Sequence, residues 1–179
     1  FEHWGSGYYT IPLLGGLYLG GRWQKNDRLS ATALTAGKAA VVSAVFVNVV
    51  KQAAHRHRPF QDDPANPKNW HGPLGDWHHT SFPSGHSTLA FSVAAVLASE
   101  YSETVWVPAL AYSLATGTAF SRFYHDKHWA SDMLIGSVFG WATGRFIWKR
   151  NQAVKVYPIL AGDFSLLSIS LTLNASGKR

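Results

Sequence analysis

A chain of 179 residues without cysteine can bury one proper core, and it excludes disulfide, thiol and Cys-ligated zinc chemistry. With 46% apolar and only 15% charged residues it is not a disordered chain. The formal charge of +6 favours an anionic partner: a phosphorylated small molecule, an acidic membrane surface or a nucleic acid.

In chain order, the apolar but Gly-rich stretch Tyr8 to Gly21 predicts a short packed helix. Asp27 to His55, dominated by Ala and Val, predicts one long helix that Pro59 stops. Its purest apolar run, Ala39 to Val50, lies between Lys38 and Lys51. That run is too short to cross a bilayer and reads as a buried core helix. Phe60 to Phe82 is loop by composition, rich in Pro, Gly and Asn without an apolar period. A helix follows the Pro-Ser-Gly-His turn at 83–86, and a second spans roughly 104–122 with Pro108 near its start. A basic and aromatic loop then leads into a last helix from about Trp129 to Lys149. Gly117, Gly136, Gly140 and Gly144 interrupt the later apolar runs. With a mean hydropathy of -0.06 this favours a soluble domain lying near a membrane. Because the chain opens on Phe1, the lack of a signal peptide says nothing about compartment.

In the tail, Leu167, Ile169, Leu171 and Leu173 alternate with Ser168, Ser170 and Thr172, the period of a half-buried strand. The stretch 154–160 is its hairpin partner, confined to an edge by Pro158. The expectation is one mainly α domain over 1–179, with a short C-terminal β-hairpin at 154–174.

Three short blocks carry chemistry. A helix beginning after Pro83 offers free N–H groups and the positive end of its dipole, a ready anion site. Ser84 can cap it, Gly85 allows close approach to the backbone, and His86 can exchange a proton near neutral pH. Taken alone, this tetrapeptide reads first as a plain cap. In KQAAHRHRP, Lys51 and Arg58 stand seven residues apart. A continued helix would put them on one face, about 10 Å apart along the axis, where they suit phosphate oxygens. The plainer reading is a solvated basic helix end. In SRFYHDKHWASD, His128 and Asp132 form an i, i+4 pair, with Arg122 just upstream. An Asp accepting one ring N–H fixes the imidazole tautomer and frees the other nitrogen as a nucleophile. An exposed helix pair is the bland alternative.

The three blocks, in this order, resemble the three-part signature of the type 2 phosphatidic acid phosphatase superfamily. That superfamily includes bacterial acid phosphatases and vanadium-dependent haloperoxidases. Every signature position is filled between Lys51 and Asp132. The resemblance implies a helical bundle and a metal-independent phosphatase acting on phosphate mono- or diphosphoesters, lipid phosphates among them, through a phosphohistidine. By position, His128 would attack phosphorus, Asp132 would orient it, and His86 would protonate the leaving oxygen and then activate water. Lys51, Arg58, Arg122, Ser84 and the Gly85 N–H would hold the phosphate. A neutral His128 beside a protonated His86 implies a bell-shaped pH–rate profile. No cofactor is implied, and vanadate would inhibit by mimicking phosphate. The alternative is a haloperoxidase that holds vanadate as its cofactor on the same residues, but those enzymes are much larger chains. The family's usual placement implies the bacterial periplasm or envelope, with membrane association. Nothing marks a nucleic-acid partner, since no basic-aromatic stripe occurs.

His55, His57, His71, His78 and His79 crowd the first block and the following loop. Because no Glu or Cys completes a ligand set, they read as exposed or as lining the pocket mouth, and no metal is expected. Trp70 and Trp77 could contact a lipid tail or anchor the loop, and Trp129 packs the last helix start.

Overall fold

The computed structural model describes residues 7–76, 78–161 and 164–171. Helix α1 spans Gly7–Trp23 and α2 spans Asp27–Ala54. Asn26 starts α2 by accepting from the Leu29 N–H at 3.0 Å. The helix ends at His55, whose φ of 41° places it in the left-handed region, so it stops before Pro59 acts. Two single-turn 3-10 helices, Pro59–Gln61 and Gly72–Leu74, punctuate the loop expected at 60–82. Helices α3 (Gly85–Glu100), α4 (Trp106–Tyr124) and α5 (Ala130–Ala153) follow. The expected helices are therefore all present, the last running a turn beyond Lys149. Backbone pairing joins β1 (Val154–Ala161) to β2 (Phe164–Leu171) antiparallel, with Pro158 opposite Leu167. Trp77 and residues 172–174 of the expected hairpin lie outside the described residues.

Helix α3 is the central post, packed by α2, α4 and α5, while α1 leans on α2. Its contact with α5 is built from small residues. A Cβ on Gly136 would stand 2.7 Å from the Ser84 carbonyl oxygen, and one on Gly140 or Gly144 would collide with the carbonyls of Thr88 and Ser92. Gly136, Gly140 and Gly144 recur every fourth residue, as do Ser84, Thr88 and Ser92, so two matching stripes let the backbones meet. These glycines are packing surface, not the interruptions their composition suggests.

The core is unusual in its chemistry. Ala36, Ala39, Val93 and Val96 form its centre with Leu14. Around them Thr32, Thr35, Thr88, Ser92, Ser99 and Thr118 are buried, each hydroxyl donating to a carbonyl three or four residues earlier. Large apolar side chains point outward instead. In the run 39–50, Ala39, Ser43 and Val47 are buried, whereas Val41, Val45 and Val49 are more than 60% exposed. The reading of that run as a buried core helix is thus corrected. It belongs to a 28-residue helix, α2, long and apolar enough to cross a membrane.

Candidate active site

The chain order brings the N-terminus of α3, the exit of α2, the last turn of α4 and the start of α5 to one end of the bundle. Ser84 caps α3, its Oγ accepting from the Ser87 N–H at 3.4 Å and the Ser87 hydroxyl at 3.0 Å. Its own N–H donates to the Asp132 carbonyl at 3.0 Å, which pins α3 to α5. Gly85 and His86 are the first two residues of α3 and are half-buried.

Two residues that sequence reasoning passed over, Thr80 and Ser81, hold the predicted groups together. Lys51, in the last turn of α2, donates Nζ to the Thr80 carbonyl at 2.9 Å. Arg58 reaches the Thr80 hydroxyl with Nη2 at 3.5 Å. The expectation that Lys51 and Arg58 share one helix face is corrected, because the helix has ended and Arg58 instead caps the 3-10 turn at Pro59. The two cations converge through a loop. Arg122 stands buried in the last turn of α4.

His128 is 2% exposed and lies in the α4–α5 loop, with Nδ1 2.7 Å from the Ser81 carbonyl. A carbonyl only accepts, so Nδ1 carries the proton and Nε2 keeps its lone pair. Burial first, and then the positive charges of Lys51 and Arg58, hold the imidazole pKa well below its usual value, against the pull of the Ser81 carbonyl. Arg122 adds to the same depression.

The direct hydrogen bond expected between Asp132 and His128 is not formed. Asp132 Oδ2 lies 3.9 Å from His128 Nδ1, beyond hydrogen-bond reach, and His128 precedes the helix whose first turn holds Asp132. The carboxylate instead accepts from the Ser81 hydroxyl, the Trp129 N–H at 3.1 Å and the Arg56 guanidinium. Arg56 is buried, donates also to Ser131 Oγ and the Pro67 carbonyl, both at 2.8 Å, and sits 4.6 Å from the Trp70 ring and 5.4 Å from the Trp129 ring. Asp132 and His128 are thus linked through Ser81, whose hydroxyl donates to the carboxylate and whose carbonyl accepts from the imidazole. Arg56 carries no spacing signal, being one cation among several in HRHR, and only the folded loop reveals its place.

The histidines outside the signature separate into three kinds. His55 is buried, its Nδ1 against the Gly72 carbonyl at 2.7 Å, so of the two expectations, exposure or a place at the pocket mouth, exposure does not hold for it. His78 is exposed and paired with Asp76. His57, His71 and His79 cluster beside the site.

A mainly helical bundle with a cup of cations around one buried imidazole is the class that fold and site define. Within that class the chain belongs to the PAP2 superfamily, whose family model matches residues 32–155. Over 65 residues it is 40% identical to a lipid A 1-phosphatase of Porphyromonas gingivalis, a match covering 36% of this chain and 15% of that protein. Its fold is similar to the crystal structure of Aquifex aeolicus LpxE, with a TM-score of 0.60 at 24% identity over 83% of this chain and 81% of that one.

Proposed function

We propose that this chain removes phosphate from an amphiphilic phosphate ester, through a phosphohistidine on His128 and without a metal in the reaction. The observation that carries this reading is the buried neutral imidazole with Nδ1 spent on Ser81 and Nε2 left nucleophilic, in the field of Lys51, Arg58 and Arg122. Phosphoryl transfer asks for positioning and for stabilisation of spread negative charge, and three cations beside a helix N-terminus offer both.

In the first step the Nε2 lone pair forms the P–N bond while the P–O ester bond breaks, and His86 gives its proton to the departing oxygen. In the second, His86 takes a proton from water, the water oxygen forms a P–O bond, and the P–N bond returns its electrons to His128. Inorganic phosphate leaves, and both histidines regain their starting states. Lys51, Arg58, Arg122, Ser84 and the Gly85 N–H hold the phosphate oxygens through both steps.

Two features favour a lipid as the alcohol. An open groove of about 620 Å³ between α3, α4 and α5 is lined by Phe91, Phe120, Met133, Leu134 and Trp141, and Ala130 at the start of α5 also lines it. The outer faces of α2, α4 and α5 expose Val45, Leu110 and Leu134, all more than half accessible. Helices that bury hydroxyls and present large apolar groups outward are suited to lipid. We therefore place the bundle in the bacterial envelope membrane with the cation cup at the headgroup level.

Quenching the enzyme in denaturant during turnover of a ³²P-labelled long-chain lipid phosphate in detergent tests the proposal. Acid-labile label on His128, absent from His128→Ala, is expected. Label on Ser84 would refute it, as would turnover in His128→Ala.

A further inference from the structure

Three imidazoles meet at the rim of the cup. His57, His71 and His79 each present a ring nitrogen within 4.8 Å of the other two. His57 Nε2 and His71 Nε2 lie 2.8 Å apart, and the His57 and His79 ring centres are 3.6 Å apart. One carboxylate stands behind the cluster, on the far nitrogen of His57, while that of Asp76 is paired with His78. Asp62 Oδ1 is 2.8 Å from His57 Nδ1, and Asn69 Nδ2 donates to the same carboxylate at 3.3 Å. With the Asp62 carboxylate as its acceptor, Nδ1 of His57 carries the proton and Nε2 turns a lone pair toward His71, while Asn69 Nδ2, 3.0 Å from the same Nδ1, gives its hydrogen to the carboxylate. Meanwhile His79 Nδ1 is buried and has no hydrogen-bond partner among the described residues.

From this arrangement we infer that His57, His71 and His79 form a binding site for a divalent transition-metal cation of the zinc class, with Asp62 as the carboxylate that orients His57. Imidazole nitrogens suit zinc, copper and nickel, and three of them with an open fourth position form a complete set without the Glu or Cys that the sequence lacks here. A carboxylate on the far nitrogen of a ligating histidine sets its tautomer and raises its basicity. Zinc–nitrogen bonds of about 2.1 Å require ligand nitrogens about 3.4 Å apart, a spacing between the contact and the outer limit seen in the cluster. The ring carriers are held by their backbones: His57 donates to the Asn69 carbonyl at 3.1 Å, His71 to the His55 carbonyl at 3.2 Å and His79 to the Asp76 carbonyl at 3.0 Å.

The place of the cluster says what the cation does. His79 precedes Thr80, on which Lys51 and Arg58 converge. His57 precedes Arg58, and its carbonyl accepts from Trp129 Nε1 at 2.8 Å. A cation joining the three rings therefore ties His57, which precedes Arg58, to His79, which precedes Thr80, and braces both against the cup.

The test uses the full chain in detergent, without a histidine tag and stripped with a chelator. Zn²⁺ is titrated by calorimetry, and Co²⁺ is titrated while the visible d–d bands are recorded. One equivalent of either metal, with a tetrahedral Co²⁺ spectrum displaced by Zn²⁺, is expected. His71→Gln and His79→Gln should each weaken binding at least tenfold, and Asp62→Asn about tenfold. His78→Gln, exposed and outside the cluster, should bind as the parent does. Failure of the parent protein to take up stoichiometric metal overturns the inference. So does uptake that persists unchanged in the double variant His71→Gln/His79→Gln, whatever those changes do to folding.

Discussion

Nδ1 of His128 is spent on a backbone carbonyl, and a carbonyl cannot change its charge with pH. The reactive tautomer therefore does not depend on Asp132 remaining ionised, while the protonation of His128 itself does depend on its surroundings. Burial and then Lys51 and Arg58 lower its pKa, so as pH falls through 6.5 the ring stays neutral, as the proposed attack on phosphorus requires. The acid limb of kcat/KM, read on the free enzyme, should lie well below pH 6.5, and a limb at 6.5 or higher would contradict a depressed nucleophile. Lys51→Met removes one of the depressing charges, so the same limb should move to higher pH even though turnover falls. Asp132 is tested differently. Asp132→Ala leaves the Arg56 guanidinium buried without its counter-charge, which should cost about 3–5 kcal/mol of stability. Asp132→Asn also removes the counter-charge and turns its NH2 toward Arg56, but it keeps an acceptor for Ser81 and Trp129 at nearly the same shape, so its cost in stability should be smaller than that of Ala. It should fold, and it should slow formation of the phosphoenzyme more than it weakens substrate binding. An effect on KM alone would demote Asp132 to packing. Each of these outcomes is read in rapid-quench measurements and thermal melts of the same preparations.

The bundle transmits constraint along α5, from Gly144 through Gly136 to Asp132, whose carbonyl holds the Ser84 N–H. Gly140→Val forces a branched side chain into the Thr88 carbonyl, and overpacking of this kind costs about 1–3 kcal/mol. Because α3 must move to make room, kcat should fall as well, although Gly140 lies two turns from Asp132. Gly37 on α2 faces open space, so Gly37→Ala should be neutral or stabilising by up to about 1 kcal/mol, with activity unchanged. Equal effects from the two changes in melts and initial rates would remove the stripe from the account. The same elements show what could be read before folding. Helices were legible because Ala-rich runs, a Ser cap and the prolines act locally. Lys51, Arg58, His128 and Asp132 were legible as a pattern, but their connections were not. Thr80 and Ser81 act through a carbonyl and short hydroxyls that have no periodicity, and Arg56 differs from the nearby Arg58 only in where the folded loop puts it. Local rules also misread the glycines, since a close helix contact exists only once two stripes face each other.

At the scale of the molecule the decisive question is what covers the outside. A mean hydropathy of -0.06 points to water because it averages the polar site loop with the helices, and it cannot see that the buried positions are the hydroxylated ones. Val45 on α2 is 61% exposed and faces away from α3, beside Val41 and Val49. In water, Val→Glu at such a position should change stability by no more than about 0.5 kcal/mol and improve solubility. In a bilayer, an acidic side chain near the middle of a helix costs about 2.5–3.5 kcal/mol on insertion scales. Val45→Glu should therefore lower the amount of chain recovered in the membrane fraction and the fraction that resists carbonate extraction, while Val47, buried against the bundle, reports on ordinary core damage through Val47→Ala. A parent chain that is fully soluble without detergent, together with a Val45→Glu variant that is as abundant and as active, would show that these faces meet water, and the headgroup-level placement of the cation cup would fall with them.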